Sequence, residues 1–559
     1  MSSSTTSPTP RRRVVIVGGV AGGMSTATRL RRRDEHVEIV VLEKSGHVSF
    51  ANCGLPYYIG GVIENRSELL LQTPEALWGR FRIDVRIHTQ AMSIDAQARE
   101  VSIHNLRTGE EDSIAYDELV LSPGASPLIP PIPGIERAFP LRTIEDTDAM
   151  RAAVESAQDG DHAVVIGGGF IGVEMAENLM HAGLKVTLVE RNPHIMGILD
   201  QEMAVQVQQR LVDNGVELRT RAEVVEITED SVVLKSGQKL PATLVVAALG
   251  VKPETDLLEG SGIALAENGA ILVDERLRTN VEHIFALGDA ATTRDAIDGS
   301  DAVVPLAQTA NRHGRLLADI LMGDDVSTRP VNATSILGIF GLQVATTGWN
   351  ERKLREAGQK PRVIMTHPVN HAGYYPGAAG MTMKLLVDPE TDAILGAQVI
   401  GEAGADKRID VIATAMQSGV TASGLMDLEL AYAPQFGSAK DPVNILGYIA
   451  DNLRTGRARH ITWNELDERI AAGNATVIDV RTAAEYAAGN IPGAINLPLD
   501  EVRERAEEIP DGELIIHCQV GLRGHVAERL FAELGHADVL NLTGGYRTWK
   551  DAHSVEGDS

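Results

Sequence analysis

The hydrophobic positions of this chain first form short continuous runs, each followed by glycines and then by helical spacing. VVIVGGVAGG, residues 14–23, is followed by a second apolar run at 37–42. AVVIGGGFIG, residues 163–172, repeats the pattern and is followed by an apolar run at 185–189. A continuous apolar run is typical of a strand buried on both faces. The repeat therefore predicts two βαβ units with parallel sheets.

The rest of the chain shows a different pattern. Strands and turns are predicted after residue 269, followed by a helix at 305–321. Residues 335–450 alternate strands and helices without a glycine fingerprint. Residues 451–459 are polar and arginine-rich and predict a linker, after which a compact α/β unit of about 95 residues begins, a plausible size for a small domain.

Composition limits the partners and the compartment. The chain has 559 residues and a net charge of −26, which argues against nucleic acid or an anionic membrane as the main partner. No apolar run reaches the ~18 residues of a membrane span. Residues 1–12 predict a disordered tail rather than a signal peptide. Two isolated cysteines favour a reducing, cytoplasmic location, and no metal site is expected.

The second glycine pattern predicts a nucleotide site. Gly167, Gly169 and Gly172 match G-x-G-x-x-G between a strand and a helix. The first glycine permits the tight turn, the second lets the backbone approach a pyrophosphate, and the third lets helix and strand pack closely. Glu190 ends the next strand, where it can bind a ribose 2′-hydroxyl and repel a 2′-phosphate. We therefore expect NADH, with NADPH left open by the adjacent Arg191.

The first glycine pattern departs from this fingerprint. Gly18 and Gly23 fit, but Val20 replaces the middle glycine. We expect Gly22 to supply the missing flexibility one turn later. Glu43 is the matching ribose acid at the end of the following strand.

Two further segments favour FAD as the ligand of the first pattern. TNVEHIFALGD, residues 279–289, predicts a strand whose following Gly288 and Asp289 would meet the ribityl chain. YDELVLSPGA, which contains Gly124, resembles the segment between the nucleotide domains of the two-dinucleotide flavoprotein disulfide reductases. Residues 12–450 resemble that family, which forms homodimers. The resemblance implies an FAD-binding domain at 13–145 and 271–334, an NAD-binding domain at 146–270 and a dimerisation domain at 335–450.

Cys53 lies in SFANCGLPYY, residues 49–58, with no second cysteine nearby. The lipoamide and glutathione branches keep a Cys-x4-Cys pair beside the flavin, so this chain cannot form that internal disulfide. A single thiol instead holds electrons as a thiolate, a mixed disulfide or a sulfenic acid. Gly54 and the residues after it predict a helix start, which would lower the pKa of Cys53.

The same segment resembles the coenzyme A-disulfide reductases, which implies coenzyme A as substrate or bound thiol. Arg29, Arg32 and Arg33 lie at i, i+3 and i+4 on the helix after the first glycine turn, so they share one face. This face could bind the coenzyme A phosphates. By resemblance, the predicted coenzyme A residues are Arg29, Arg32, Ser49 and Asn52.

Two tyrosine segments, NHAGYYPG and AYAPQF, resemble the same branch. In that branch a tyrosine pair from the partner subunit reaches the active cysteine, and a phenol can donate a proton to a leaving thiolate. We expect Tyr374 and Tyr432 to act in this way, with Tyr375 as an alternative to Tyr374.

Three C-terminal segments, VIDVR, CQVGLRG and TGGYRTW, resemble rhodanese signatures, and the resemblance covers residues 460–556. The CQVGLRG loop can turn its N–H groups toward Cys518 and stabilise a thiolate or persulfide. Arg523 would add positive charge or anchor the loop to Asp479 or Glu485.

The predicted fold class is α/β, with two Rossmann-like dinucleotide-binding domains, an α+β dimerisation domain and a C-terminal α/β rhodanese domain. The resemblances imply an NADH-dependent FAD enzyme that reduces coenzyme A disulfide, coenzyme A persulfide or polysulfide through Cys53, while Cys518 carries sulfane sulfur. Two alternatives stay open. One is an NADH oxidase in which Cys53 cycles through sulfenic acid, and the other is a non-enzymatic redox sensor.

Overall fold

The computed structural model describes residues 12–158, 160–473 and 476–554. Of the predicted disordered tail at 1–12, all but the last residue lies outside these ranges. Within them, none of the helices is both long and apolar enough to cross a membrane. The chain forms two compact units. One unit contains the chain up to Arg191 and Ala222–Ala333, and the other contains Asn192–Arg221 and the chain from Thr334 onward.

A parallel five-stranded sheet forms the first nucleotide-binding fold. The strand Arg13–Val17 lies at its centre and is buried from Val14 onward, as its apolar run predicts. A strand from much later in the sequence completes this sheet, because Ile284–Ala286 pairs with Glu118–Leu121. The strand order is Ile284–Ala286, Glu118–Leu121, Arg13–Val17, Glu38–Leu42 and Ile83–Arg86.

Two helices cover this sheet and approach each other very closely. They are Ala21–Arg33 and Ala307–Leu321. A Cβ atom on Gly314 would lie only 2.4 Å from the carbonyl oxygen of Gly22. The contact therefore requires a glycine, and it ties the later segment to the first glycine turn.

The second nucleotide-binding fold repeats this arrangement. The strand His162–Ile166 pairs in parallel with Lys185–Val189 and with Leu244–Ala247. The helix Phe170–His181 follows the glycine turn. These parallel sheets confirm the predicted α/β class.

Smaller elements complete the first unit. The helices are Leu55–Ile59, Pro74–Phe81 and Ile144–Ser156. Two antiparallel sheets contain the strands Thr89–Asp95, Glu100–Asn105 and Glu111–Ala115, and Val224–Ile227, Ser231–Leu234 and Lys239–Pro241. Two strand pairs join Ala125–Pro127 to Val251–Pro253 and Thr293–Arg294 to Asp301–Ala302.

The second unit begins with an antiparallel sheet. Its strand order is Ser335–Ile339, Leu342–Gly348, Ile394–Gly401, Met381–Val387 and Arg362–Thr366. The helices associated with it are Gln201–Asp213, Glu351–Glu356, Ala405–Gln417 and Pro442–Arg454.

A buried charge cluster joins the helix Gln201–Asp213 to this sheet. Lys384 is fully buried, and its Nζ lies 2.9 Å from Asp200, 2.6 Å from Glu202 and 2.6 Å from Glu351. The three carboxylates lie close enough together to hold a metal ion. The lysine ammonium already occupies their centre, so it supplies the counter-charge that burial requires.

A five-stranded parallel sheet forms the C-terminal part. Its order is His460–Ile461, Val539–Leu542, Leu514–His517, Thr476–Asp479 and Ile495–Asn496. Its helices are Trp463–Ala471, Ala483–Ala487, Leu522–Glu533 and Gly545–Ser554. Of the C-terminal domain predicted at 460–556, the last two residues lie outside the described ranges.

The predicted linker at 451–459 is wrong in its first half. The helix that begins at Pro442 continues to Arg454. Asp451 accepts hydrogen bonds from Arg454 and Arg457, so the polar residues that indicated a linker instead pair around the last helical turn.

Candidate active sites

Both glycine turns have backbone geometry that only glycine adopts readily. Gly18 and Gly167 have φ values of +101° and +105°. Cβ atoms on Gly23 and Gly172 would lie 2.0 Å and 1.8 Å from the carbonyl oxygens of those two glycines. The tight turn and the close helix packing of the fingerprint are therefore present in both folds.

The expectation for Gly22 needs correction. Gly22 lies inside the helix Ala21–Arg33 and is buried, so it does not add flexibility to the turn. A Cβ atom there would lie 2.3 Å from Leu287 Cδ1. Gly22 is required by close packing rather than by the missing middle glycine at Val20.

The two carboxylates predicted to bind ribose hydroxyls, Glu43 and Glu190, lie in equivalent positions in the two folds. Glu43 Oε2 accepts a 2.8 Å hydrogen bond from the Gly19 N–H. Glu190 Oε2 accepts a 2.8 Å bond from the Gly168 N–H. Burial raises the pKa of Glu43, and the N–H groups that it accepts from oppose this rise. Each carboxylate thus lies at its glycine turn, where a dinucleotide ribose would bind.

The surroundings of both turns fit a dinucleotide. The helices Ala21–Arg33 and Phe170–His181 begin without a side-chain cap and without an acid in the first turn. Their N-terminal N–H groups and dipoles therefore favour an anion such as a pyrophosphate. A Cβ atom on Gly169 would meet no described protein atom within 4 Å, which leaves the room that the fingerprint reserves for the ligand.

Cys53 is an exposed free thiol beside the first glycine turn. It lies in one turn of 3₁₀ helix, Asn52–Gly54, which is followed by the short helix Leu55–Ile59. The Ser49 N–H donates to the Gly19 carbonyl at 2.8 Å, so the cysteine segment is tied to the turn.

The charges around Cys53 come from distant parts of the chain. Partial burial raises the pKa of Cys53, Glu174 and Asp289 raise it further, and Arg142 opposes them. The sequence predicted a lowered pKa for Cys53. That prediction is wrong, because the surrounding protein groups together raise this pKa. The helix that follows has only five residues and provides little dipole, whereas two carboxylates face the thiol.

Asp289, predicted to contact the ribityl chain, shares this neighbourhood. Its Oδ2 accepts a 2.8 Å bond from Arg142 Nη2. Gly124 and Gly288 both have positive φ values, +79° and +80°. A Cβ atom on Gly124 would lie 3.0 Å from the same Nη2 atom. The structure thus brings together predicted flavin residues and the predicted active thiol.

Glu174 and Tyr57 form a hydrogen-bonded pair next to Cys53. The Tyr57 hydroxyl donates to Glu174 Oε1 at 3.2 Å. Burial raises the pKa of Glu174 to about 6. Burial, with Glu174 next, raises the pKa of Tyr57 to about 12. This pair can hold a proton near the thiol at neutral pH.

The predicted coenzyme A arginines differ in their surroundings. Arg29 Nε donates to Asp319 Oδ1 at 2.9 Å. Arg33 donates to the same oxygen and to Asp324, which confirms that the i and i+4 positions share a face. Arg32 is exposed. Arg29 would therefore meet a phosphate while paired with a carboxylate.

Tyr374 and Tyr432 meet on the surface of the second unit. Their hydroxyls are 2.9 Å apart, and the hydrogen bond raises the pKa of Tyr374. Buried Arg408 donates to the Asn370 carbonyl at 2.7 Å and to Asp441, a few residues after the Tyr432 segment, at 2.9 Å. Of the Tyr374–Tyr375 doublet, the first tyrosine is the one that meets Tyr432.

Cys518 is a fully buried thiol at the end of the strand Leu514–His517. The Gly521 N–H donates to its Sγ at 3.1 Å, and Gly521 has a φ of +102°. The loop thus turns a backbone donor onto the sulfur, as predicted from its sequence. This N–H group is one element of the anion-binding arrangement that the sequence predicts for the loop.

Arg523 anchors this loop through Glu485. Its two terminal nitrogens donate to the two carboxylate oxygens at 2.8 Å and 2.6 Å. The pKa of Glu485 falls to about 2, chiefly through this pairing. Asp479, the other predicted anchor, is instead bound by buried Arg481 at 2.6 Å.

Comparison with protein families assigns three parts of the chain. The pyridine nucleotide-disulphide oxidoreductase model matches residues 12–314, and its dimerisation-domain model matches 335–442. A rhodanese-like domain model matches 462–552.

The chain belongs to the pyridine nucleotide-disulphide oxidoreductase family.

Two solved structures and one curated protein are similar to this chain over most of its length. The reduced Bacillus anthracis CoADR-RHD has 44% identity and a TM-score of 0.95, covering 98% of this chain and 99% of that one. The NAD-dependent persulfide reductase from A. fulgidus has 36% identity and a TM-score of 0.89, covering 96% and 100%. Coenzyme A disulfide reductase from Staphylococcus aureus (strain bovine RF122 / ET3-1) is 34% identical over 436 residues, which are 78% of this chain and 98% of that protein.

The chain is thus an FAD- and NAD(P)H-dependent oxidoreductase. It has a dimerisation domain, which indicates a homodimer, and a rhodanese domain.

Sequence reasoning missed three residues of the oxidoreductase site. The sequence offered a reason to consider Tyr57 and Glu174. Tyr57 lies four residues after Cys53, and Glu174 lies two residues after Gly172, the last glycine of the fingerprint. Arg142 has no local motif, and only the fold brings it to Asp289.

Proposed function

We propose that this protein is an NADH-dependent reductase of coenzyme A disulfide, coenzyme A persulfide or polysulfide, with Cys53 as the active thiol and Cys518 as a carrier of sulfane sulfur. The observation that carries this proposal is the contrast between two free thiols on one chain. Cys53 is exposed beside predicted flavin residues, and Cys518 is buried with the Gly521 N–H directed at its sulfur. Similarity to a coenzyme A disulfide reductase and to an NAD-dependent persulfide reductase supports it.

The residues have distinct roles in this proposal. When bound, nicotinamide and flavin supply the electron pair. The Cys53 thiolate attacks a substrate S–S bond, forms a mixed disulfide with one half, and releases the other half as a thiolate. Tyr374 and Tyr432, reaching from the partner subunit of a homodimer, donate the proton to the leaving thiolate. Arg29 and Arg32 bind the coenzyme A phosphates.

In this proposal other residues hold the cofactors. Glu43, Gly18 and Asp289 hold FAD, and Glu190 holds the ribose of NADH. Replacing Glu190 by alanine removes the charge that would repel a 2′-phosphate. We expect the NADH-to-NADPH ratio of kcat/KM to fall about tenfold or more. An unchanged ratio would contradict the assignment of Glu190.

A persulfide is the favoured physiological substrate, because a pure disulfide reductase does not need a sulfur carrier. The test compares wild type and Cys518→Ser on coenzyme A persulfide and on coenzyme A disulfide. The proposal expects Cys518→Ser to lose activity on the persulfide and to keep activity on the disulfide. An equal loss of activity on both substrates would contradict the separate roles proposed for Cys53 and Cys518.

Mass spectrometry under non-reducing conditions identifies the thiol class directly. The proposal expects a coenzyme A-sized adduct on Cys53. Rapid oxygen consumption without added thiol would instead favour the NADH oxidase, and negligible turnover on every sulfur acceptor would favour a sensor.

Both cysteines are free thiols, which supports the cytoplasm as the proposed compartment of the protein.

A further inference from the structure

The Cys518 loop rests on a second segment, Thr543–Thr548, whose backbone fixes its geometry. The Tyr546 N–H donates to the Cys518 carbonyl at 2.8 Å, and the Arg547 N–H donates to the Gln519 carbonyl at 3.0 Å. A Cβ atom on Gly545 would lie 2.5 Å from the Cys518 carbonyl oxygen. The position of the reactive loop therefore follows the position of this segment.

The dimerisation domain in turn holds this segment. The Met365 N–H, on the strand Arg362–Thr366, donates to Thr543 Oγ1 at 2.9 Å. A Cβ atom on Gly544 would lie 2.9 Å from the Met365 Cβ atom, so no larger residue fits between the domains. Both segments belong to the same compact unit.

His367 makes the second link between the domains. Its Nε2 lies 2.8 Å from Thr548 Oγ1, and its Nδ1 lies 3.1 Å from Thr382 Oγ1. Thr382 belongs to the dimerisation domain, whereas Thr548 lies on the helix that follows Gly545 and is buried. The imidazole therefore bridges the two domains through two hydroxyl groups.

This bridge is a neutral one. Burial lowers the pKa of His367 to about 3, with Arg547 acting in the same direction. A neutral imidazole has one donor and one acceptor nitrogen, which suits two hydroxyl partners. The link therefore keeps its form throughout the neutral pH range.

We propose that the dimerisation domain completes the sulfur-transfer site, with His367 as a positioning residue for the Cys518 loop. This inference rests on the proposed role of Cys518. In the step concerned, the Cys518 thiolate attacks the outer sulfur of a donor R–S–SH. One S–S bond forms and one breaks, R–S⁻ leaves with the electron pair, and the proton stays on the new persulfide.

The test uses the full-length holoenzyme and glutathione persulfide as donor. His367→Leu removes both hydrogen bonds, and we expect kcat for sulfur uptake by Cys518 to fall about tenfold. KM should change less than about twofold, because His367 does not contact the donor. His367→Gln restores one donor and one acceptor and should recover most of the rate. Reduction of the flavin by NADH should stay at the wild-type rate in both variants.

His553→Leu is the matched control. His553 lies on the same helix, but its hydrogen-bond and ion-pair partners Trp549 and Asp467 belong to the C-terminal domain itself. It should leave sulfur uptake unchanged. A His367→Leu enzyme that takes up sulfur at the wild-type rate overturns the proposal. So does a His367→Gln enzyme that is as slow as His367→Leu, or a parallel loss of flavin reduction.

Two further measurements keep the outcome decisive. If His367→Leu does not fold, Thr548→Val and Thr548→Ser ask the same question, because only serine keeps the hydroxyl that meets His367. If wild-type Cys518 accepts sulfur from no donor, the proposed function fails by itself. Amide hydrogen exchange of residues 518–524 then tests the positioning alone, since the proposal requires faster exchange in His367→Leu than in His553→Leu.

Discussion

Cys53 and Cys518 are both free thiols, but they differ in exposure and in the charges that face them. Cys53 is an exposed residue whose thiol is partly buried, and this partial burial, followed by the carboxylates of Glu174 and Asp289, raises its pKa. Cys518 is fully buried, and the Gly521 N–H points at its sulfur. The two carboxylates near Cys53 therefore oppose an anion there, whereas the sulfur of Cys518 accepts a backbone hydrogen bond.

This difference matches two kinds of sulfur chemistry. An exposed thiol can accept a large substrate and form a mixed disulfide with it. Its protein surroundings do not stabilise the thiolate, so under the proposed function a bound cofactor would have to do so. A buried thiol with a backbone N–H directed at its sulfur suits the small persulfide group that the proposal assigns to Cys518.

The strongest test of the comparison exchanges each cysteine for serine. Cys53→Ser should lower disulfide reduction by about a thousandfold or more, because a hydroxyl cannot form the mixed disulfide. Cys518→Ser should leave disulfide reduction within about twofold of wild type. Steady-state NADH oxidation with coenzyme A disulfide measures both. Similar losses in the two variants would mean that the thiols do not work separately.

A smaller effect is expected from Glu174→Gln. The ionised Glu174 raises the pKa of Cys53, and its own pKa of about 6 keeps it mostly ionised at neutral pH. Removing this charge should lower the Cys53 pKa and increase the thiolate fraction. We expect alkylation of Cys53 at pH 7 to become about threefold faster. Below pH 6 the difference should shrink, because the wild-type carboxyl is then protonated.

Glu155→Gln serves as the control for that experiment, since this side chain is exposed and pairs with Arg151. It should leave the alkylation rate unchanged. An equal change in both variants would assign the effect to overall charge rather than to Glu174.

The smallest expected effect concerns the anchor of the Cys518 loop. Glu485 has a folded-state pKa of about 2, below its ordinary value, so its pairing stabilises the fold above pH ~4.5 and is lost as the pH falls toward 2. Glu485→Gln keeps the hydrogen bonds to Thr482 but removes the charge. We expect about 0.5 kcal/mol of destabilisation at pH 7, because the pair is partly exposed to solvent.

Thermal unfolding of the two proteins at pH 7 and at pH 2 measures this difference. At pH 2 it should be much smaller than at pH 7. Glu508→Gln removes a similar surface partner, that of Arg505, away from Cys518 and provides the comparison. If Glu485→Gln destabilises equally at both pH values, the charge is not the cause.

The glycine patterns predicted the local structure well for a physical reason. Gly18, Gly23, Gly167 and Gly172 occupy backbone positions that reject a Cβ atom, so the turns and the following helices could be inferred from the sequence. Tyr374 was also selected together with Tyr432, and the structure brings the two hydroxyls into contact. The roles of these residues stay predictions.

The charges around Cys53 could not be inferred in the same way. Arg142, Glu174 and Asp289 reach the thiol from three separate segments, and a local helix rule cannot include them. The linker at 451–459 failed for a related reason. Its polar residues form ion pairs around a helix end, and composition alone does not distinguish such a turn from a flexible connection.

The hydrogen bond between Met365 and Thr543 limits which C-terminal domains could replace the present one in an engineered protein. A C-terminal domain from another protein would need a hydroxyl side chain at both 543 and 548 to form the hydrogen bonds with Met365 and His367. It would also need glycine at 544, where a Cβ atom would collide with the neighbouring strand. A domain of matching length without these residues would therefore leave the Met365 N–H and the Nε2 atom of His367 buried without partners.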